Sequence, residues 1–178
     1  QMEIISKFCE EQSKKGVLIF NDPIMADNGE LYSGISPDTV DYMKNIIAVS
    51  DVTMPNYTES CLLTNTKYKE GISTEEINSI INKIRGIGAK SVIVTSIPSV
   101  ETRMVAGFDS KINEYFYLPY EEIPTYFPGT GDIFSSVIIS ETLEGKSLKV
   151  ATEKAMKIVK EIVFENKDQE THVRNLKK

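Results

Sequence analysis

STEEINSIINKIRGIGAKSVIVT, residues 73–95, carries a helix start, a helix stop and a strand in one stretch. Ser73 with Glu76 three residues later has the spacing of a capping box. It predicts a helix to about Ile87, which Gly88 ends. Ser91-Val92-Ile93-Val94-Thr95 then reads as a strand covered on both faces. Upstream, Asn56 with Glu59 repeats the capping-box spacing after a short strand around Asp51-Val52-Thr53. Ser36-Pro37-Asp38 starts an earlier helix, with Ser36 as N-cap and Val40, Met43, Ile46 and Ile47 as its apolar face. Val17-Leu18-Ile19-Phe20 reads as another buried parallel strand, preceded by a helix from Met2 to Lys14 that stops at Gly16. Downstream, 104–108 and 115–118 read as an antiparallel pair. Gly129 opens a helix through about Leu143, and Ser147 caps a last helix to about Phe164. Helices alternating with buried strands predict an α/β fold, a mainly parallel central sheet with helices on both faces.

The composition agrees with an ordinary globular chain. Of 178 residues, 40% are hydrophobic and 26% charged, one domain's worth of sequence. No apolar run approaches the roughly 20 residues that a membrane helix needs. A net charge of −6 disfavours broad nucleic-acid binding but not a nucleotide ligand. Cys9 and Cys61 are distant and form no Cys-x-x-Cys pair, so a disulfide or zinc scaffold is not expected. His172, the one histidine, sits in a charged stretch, residues 165–178, which reads as a frayed tail. No signal peptide is visible, and the composition fits a reducing, cytoplasmic setting. The chain opens inside a helical pattern, which suggests the middle of a larger protein.

Four polar clusters lie where ligands of α/β sheets bind, beyond strand ends and at helix starts. Gly129-Thr130-Gly131-Asp132 is the sharpest. Its glycines permit close backbone approach, and a helix N-terminus offers N–H groups to an anion. Asp132 would stand in the first turn, placed to accept a proton from a hydroxyl. A helix merely capped by Thr130 explains the same four residues. Asn21-Asp22-Pro23 reads either as a strand-end carboxylate near a metal and phosphates or as an Asx-type turn. Glu59 closes a capping box or belongs to a metal shell. Thr95 with Ser96 ends the strand of the opening stretch. Asp27-Asn28-Gly29 is first a turn, and Tyr32 just beyond it offers a ring for stacking. The stretch from Tyr115 to Phe127 reads as edge-strand packing. Walker, dinucleotide-binding and Gly-x-Ser-x-Gly motifs are absent.

Together, Asp22-Pro23-Ile24-Met25-Ala26-Asp27-Asn28-Gly29-Glu30-Leu31-Tyr32, Pro55-Asn56-Tyr57-Thr58-Glu59, Val92-Ile93-Val94-Thr95-Ser96 and Gly129-Thr130-Gly131-Asp132-Ile133-Phe134 resemble the pyridoxal kinases of the ribokinase-like superfamily. The order and separations of these stretches fit over about Val17 to Phe164. The resemblance implies that residues 1–178 are the C-terminal part of one kinase domain, without the N-terminal portion that holds much of the vitamin pocket. It implies ATP-dependent phosphorylation of the 5′-hydroxymethyl group of pyridoxal, pyridoxine or pyridoxamine, with Mg²⁺, often with K⁺ or Na⁺, and commonly as a homodimer. Asp132 then resembles the catalytic base, and Gly129, Thr130 and Gly131 the anion hole. Asp22 and Glu59 resemble the carboxylates near metal and phosphates. Asn56, Thr95 and Ser96 resemble ATP-site residues, and Asp27 and Tyr32 parts of the loop over the site.

Departures bear on these expectations. Ala26 stands where a glycine is usual, which stiffens the loop. Met54 stands where threonine is common, which removes an oxygen from a monovalent-cation site. The missing pocket predicts an inactive fragment in isolation. Hydroxymethylpyrimidine kinase shares the fold but typically has cysteine where Asp132 stands. A sugar kinase shares the Gly-x-Gly-Asp motif but usually lacks the 22–32 loop. A nucleotide-binding remnant without catalysis is the non-enzyme alternative.

Overall fold

The computed structural model describes residues 2–125 and 127–166. Gln1, Tyr126, His172 and the rest of the tail beyond Asn166 lie outside the described residues. The chain divides after Tyr120 into two compact units.

The first unit opens with α1 (Met2–Lys14), which ends as expected with Gly16 at φ 84°. The run after it differs from its sequence reading. Only β1 (Phe20–Asn21) pairs in the sheet, and Val17 and Leu18 are exposed. The ladder starts where the Asp51 carboxylate accepts the Ile19 N–H at 2.8 Å, and Pro23, which has no N–H, follows soon after. Among the described residues this short strand stands at one end of the sheet order.

Next comes a hairpin where the sequence pattern predicts only a turn. β2 (Ala26–Asp27) and β3 (Glu30–Leu31) pair antiparallel around Asn28 and Gly29, at φ 52° and 86°. Positive φ at both central residues is the type I′ geometry, which Asn-Gly adopts readily. α2 (Thr39–Ile47) starts two residues later than Pro37 suggests, with Asp38 rather than Ser36 at its N-cap. Ile46 and Ile47 are buried, as its apolar face requires.

β4 (Val52–Thr53) leads to α3 (Tyr57–Leu63), and α4 (Thr74–Ile87) follows. Both capping boxes form in full, with Asn56 and Glu59 in one and Ser73 and Glu76 in the other. α4 buries Ile77, Ile80, Ile81 and Ile84 against a core shared with β5 (Ser91–Pro98). Side chains alternate faces along a strand, yet Val92, Ile93 and Val94 are all fully buried, so β5 is covered on both faces. β6 (Arg103–Asp109) and β7 (Glu114–Tyr120) complete a five-stranded sheet in the order β1-β4-β5-β6-β7. Its β1-β4-β5 part is parallel. The expected antiparallel pair of β6 and β7 is joined to it by an antiparallel β5–β6 ladder. The Tyr115 and Tyr117 hydroxyls donate to Asn82 and Asn78 of α4, so these two rings serve packing.

The second unit consists of α5 (Thr130–Leu143) and α6 (Leu148–Asn166) packed on each other. Ala151 and Ala155 are fully buried, as is Ile138, and small side chains let helices approach closely. The buried Glu141 carboxylate is paired with Lys154. The last helix includes Glu165 and Asn166, the first two residues of the expected tail. Among the described residues, no helix is long and apolar enough to cross a membrane, and Cys9 and Cys61 are free thiols.

Candidate active site

The first unit gathers its candidate residues at the carboxyl ends of β1, β4 and β5. Asn56 caps α3 just beyond β4, and its backbone bridges to Thr95 of β5 in parallel fashion. The Thr95 N–H donates to Pro55 O at 3.1 Å. Thr95 and Ser96 sit in a β-bulge. Val94 faces Ala106 and Ile97 faces Met104, so three steps on β5 match two on β6. The bulge leaves Thr95 half-buried and Ser96 exposed, with Ser96 at φ 57°. A non-glycine residue held in that region costs about 1–3 kcal/mol, and such strain gathers at functional positions. The strand run of 91–95 did not reveal this bulge, because no residue type there demands it.

Glu59 is the most constrained group of the site. Its side chain is 2% exposed, and both carboxylate oxygens are engaged. Oε1 accepts the Met25 N–H at 2.9 Å and the Ala26 N–H at 3.4 Å, and Oε2 accepts the Asn56 N–H at 2.8 Å. Burial is the largest influence on its pKa and pushes it up to about 7, against the pull of these three N–H groups. The charge of Asp22 raises it further, which places the two carboxylates in electrostatic reach of each other. Asp22 is half-buried at the turn made by Pro23.

The same end of α3 holds the hairpin. Asn56 Nδ2 donates to Ala26 O at 2.7 Å, and the Gly29 N–H donates to Thr58 Oγ1 at 3.0 Å. Asp27 and Tyr32 are exposed on and after this hairpin. Asp27 accepts from the Asn28 N–H and side-chain amide, so it stabilises the turn itself. Ala26 is fully buried, and Met54 is 4% exposed with its N–H bonded to Asn21 O. Thr58 escaped the sequence reading, since a threonine inside a capping box carries no signal of what it will face.

In the second unit, Gly129 is the N-cap of α5 at φ 88°, with no side-chain cap. Thr130 is therefore not the cap, and its place is the first helical residue. Asp132 is exposed in the first turn, and among the described residues no atom lies within 4 Å of where a Cβ on Gly129 would stand. The first turn of this 14-residue helix offers backbone N–H groups beside a carboxylate.

A family model for phosphomethylpyrimidine kinase matches residues 1–175. The chain belongs to the phosphomethylpyrimidine kinase family. Among its relatives, a pyridoxal kinase from Dictyostelium discoideum is 28% identical over 176 residues, a match covering 92% of this chain and 56% of that one. A structure assigned as a phosphomethylpyrimidine kinase from Bacteroides thetaiotaomicron, in a crystal form with pyridoxal, has a TM-score of 0.88 at 30% identity. That match covers 96% of this chain and 61% of the other. Pyridoxal kinase from Lactobacillus plantarum has a TM-score of 0.76 at 25% identity, covering 92% and 60% of the two chains. The fold is thus the α/β sheet of ribokinase-like kinases, flanked by helices. The chain spans little more than half the length of the Dictyostelium relative.

Proposed function

We propose that the protein carrying this chain is an ATP-dependent kinase that phosphorylates the 5′-hydroxymethyl group of a vitamin B6 vitamer. The single observation that carries this reading is Asp132, exposed in the first turn of α5 behind the left-handed Gly129. A carboxylate beside helix N–H groups that no described side chain caps suits the two demands of phosphoryl transfer, proton acceptance and charge stabilisation. In this reading Asp132 accepts the proton of the attacking hydroxyl, and the backbone of Gly129, Thr130 and Gly131 holds charge on the phosphoryl group. Asn56, Thr95 and Ser96 take the nucleotide, and Asp27 and Tyr32 border the vitamer. The pyridoxal in the Bacteroides crystal form supports the vitamer. The family description keeps a hydroxymethylpyrimidine as the second substrate reading.

Two carboxylates whose charges oppose each other, Asp22 and Glu59, fit a cation beside phosphates. Asp22 would hold Mg²⁺, and Glu59, its oxygens already engaged, would contribute charge from behind. Mg²⁺ there supplies charge neutralisation on the ATP phosphates. The thioether of Met54 is a soft donor, poorly matched to K⁺ or Na⁺. A homodimer and a single kinase domain that continues beyond this chain belong to the same reading.

The test is a steady-state comparison in the complete protein. Asp132→Asn keeps size but not basicity, and it is expected to lower kcat by about 10²–10⁴-fold with the KM for ATP nearly unchanged. A large rise in that KM at near-normal kcat would remove Asp132 from the catalytic role. Transfer to hydroxymethylpyrimidine in preference to pyridoxal would replace the vitamer.

A further inference from the structure

The β2–β3 hairpin is fastened to one turn of one helix at both its base and its tip. At the base, Met25 and Ala26 donate to Glu59, and Asn56 donates to Ala26 O. At the tip, the Gly29 N–H reaches Thr58 Oγ1 at 3.0 Å. Thr58 is 4% exposed and Gly29 half-buried, so that bond is partly shielded from water. Gly29 also lies over Tyr68, whose ring comes within 3.6 Å of where a Cβ would stand. Tyr68 in turn packs on Tyr57 of α3, with ring centroids 5.2 Å apart. The tip is therefore held by α3 twice, directly through Thr58 and indirectly through the two tyrosines.

We propose that Thr58 is a positioning residue: through the Gly29 N–H it sets where the hairpin carries Asp27 and Tyr32, and so couples the nucleotide-side cap of α3 to the vitamer side. This rests on the kinase reading above. A two-residue type I′ turn has no internal slack, because both central residues already occupy fixed positive-φ conformations. Anchoring Gly29 thus anchors the neighbouring Asp27, whose own carboxylate is spent on the turn. Glu59 and Asn56 cannot be altered without disturbing the capping box, whereas Thr58 stands between them with a hydroxyl used by the hairpin.

Thr58→Val keeps the shape and removes the acceptor, and Thr58→Ser restores it. Two readouts decide the matter in the complete protein. Amide exchange at Gly29 is expected to accelerate about threefold to tenfold in Thr58→Val, the range for losing one ordinary hydrogen bond, and to return in Thr58→Ser. In kinetics, the KM for pyridoxal is expected to rise by a similar factor while the KM for ATP stays within about twofold, again with rescue by serine. Unchanged Gly29 exchange, or equal rises in both KM values, would overturn the proposal. A wild-type protein that transfers phosphate to no vitamer would instead overturn the kinase reading, and Gly29 exchange alone would then decide the tether.

Discussion

Glu59 is a buried carboxylate that its neighbours oppose in two ways. Three backbone N–H groups favour its charged form, while burial and the charge of Asp22 favour the neutral one, and burial wins. The folded group therefore titrates at about 7, above its ordinary 4.5. Between these values the folded chain binds more protons than the unfolded chain, so stability falls as pH rises through that window. Glu59→Gln removes the titration, and the slope of denaturation midpoint against pH over the same window is expected to flatten. The glutamine amide also turns a donor toward a backbone N–H, which is expected to lower stability by about 1–3 kcal/mol at mildly acidic pH. A wild-type midpoint that rises from about pH 5 to about pH 7, relative to the variant, would contradict the assignment of burial as the dominant influence. The capping-box role of Glu59 was legible from its spacing to Asn56. Its contacts with Met25 and Ala26 were not, because they join positions more than thirty residues apart.

At the scale of elements, local chemistry was the reliable guide. Both capping boxes, the Gly16 and Gly88 stops and the helix opened by Gly129 stand where short-range spacing puts them. Gly88 has a second reason to be glycine. It sits at φ 140°, and a Cβ there would lie 2.5 Å from the Ala48 carbonyl oxygen just past α2. Backbone on both sides leaves no flexible atom to yield. Gly88→Ala is therefore expected to cost at least about 1–3 kcal/mol in urea unfolding. A cost below a few tenths would mean that the α2–α4 approach relaxes freely. Strand ends are less legible in the sequence than strand centres. Val17-Leu18-Ile19-Phe20 has the apolar run of a buried strand, but among the described residues the pairing with β4 begins at Ile19, whose carbonyl accepts from Asp51 and Val52, and leaves Val17 and Leu18 exposed. Hydrophobicity alone does not tell whether a partner lies alongside.

At the scale of the whole molecule, apolar side chains stay in contact with water where α1 and the approach to β1 lie. Ile4 is 73% exposed, Phe8 59%, Val17 49% and Leu18 46%. Among the described residues β1 is an edge strand, and unprotected edges beside apolar side chains favour association. The chain expressed by itself is expected to associate reversibly. Phe8→Ser with Leu18→Ser is expected to shift its sedimentation toward the monomer at equal concentration. A wild-type chain that sediments as a monomer across the range would refute this.

Periodicity, caps and glycines determined by themselves the helices and the strands β4 to β7 in their order, because each depends on residues a few positions apart, but not the β2–β3 pairing or the length of β1. The same short strings placed Asp22, Asn56, Glu59, Thr95 and the 129–132 run at strand ends and helix starts. The tertiary structure alone decided that β5 bulges at Thr95 and Ser96, that β1 stops after two residues, and that Thr58 and Glu59 grip the hairpin. Each of these depends on which backbone groups from distant segments come to face one another, and a buried N–H or carboxylate must then find its partner across that gap.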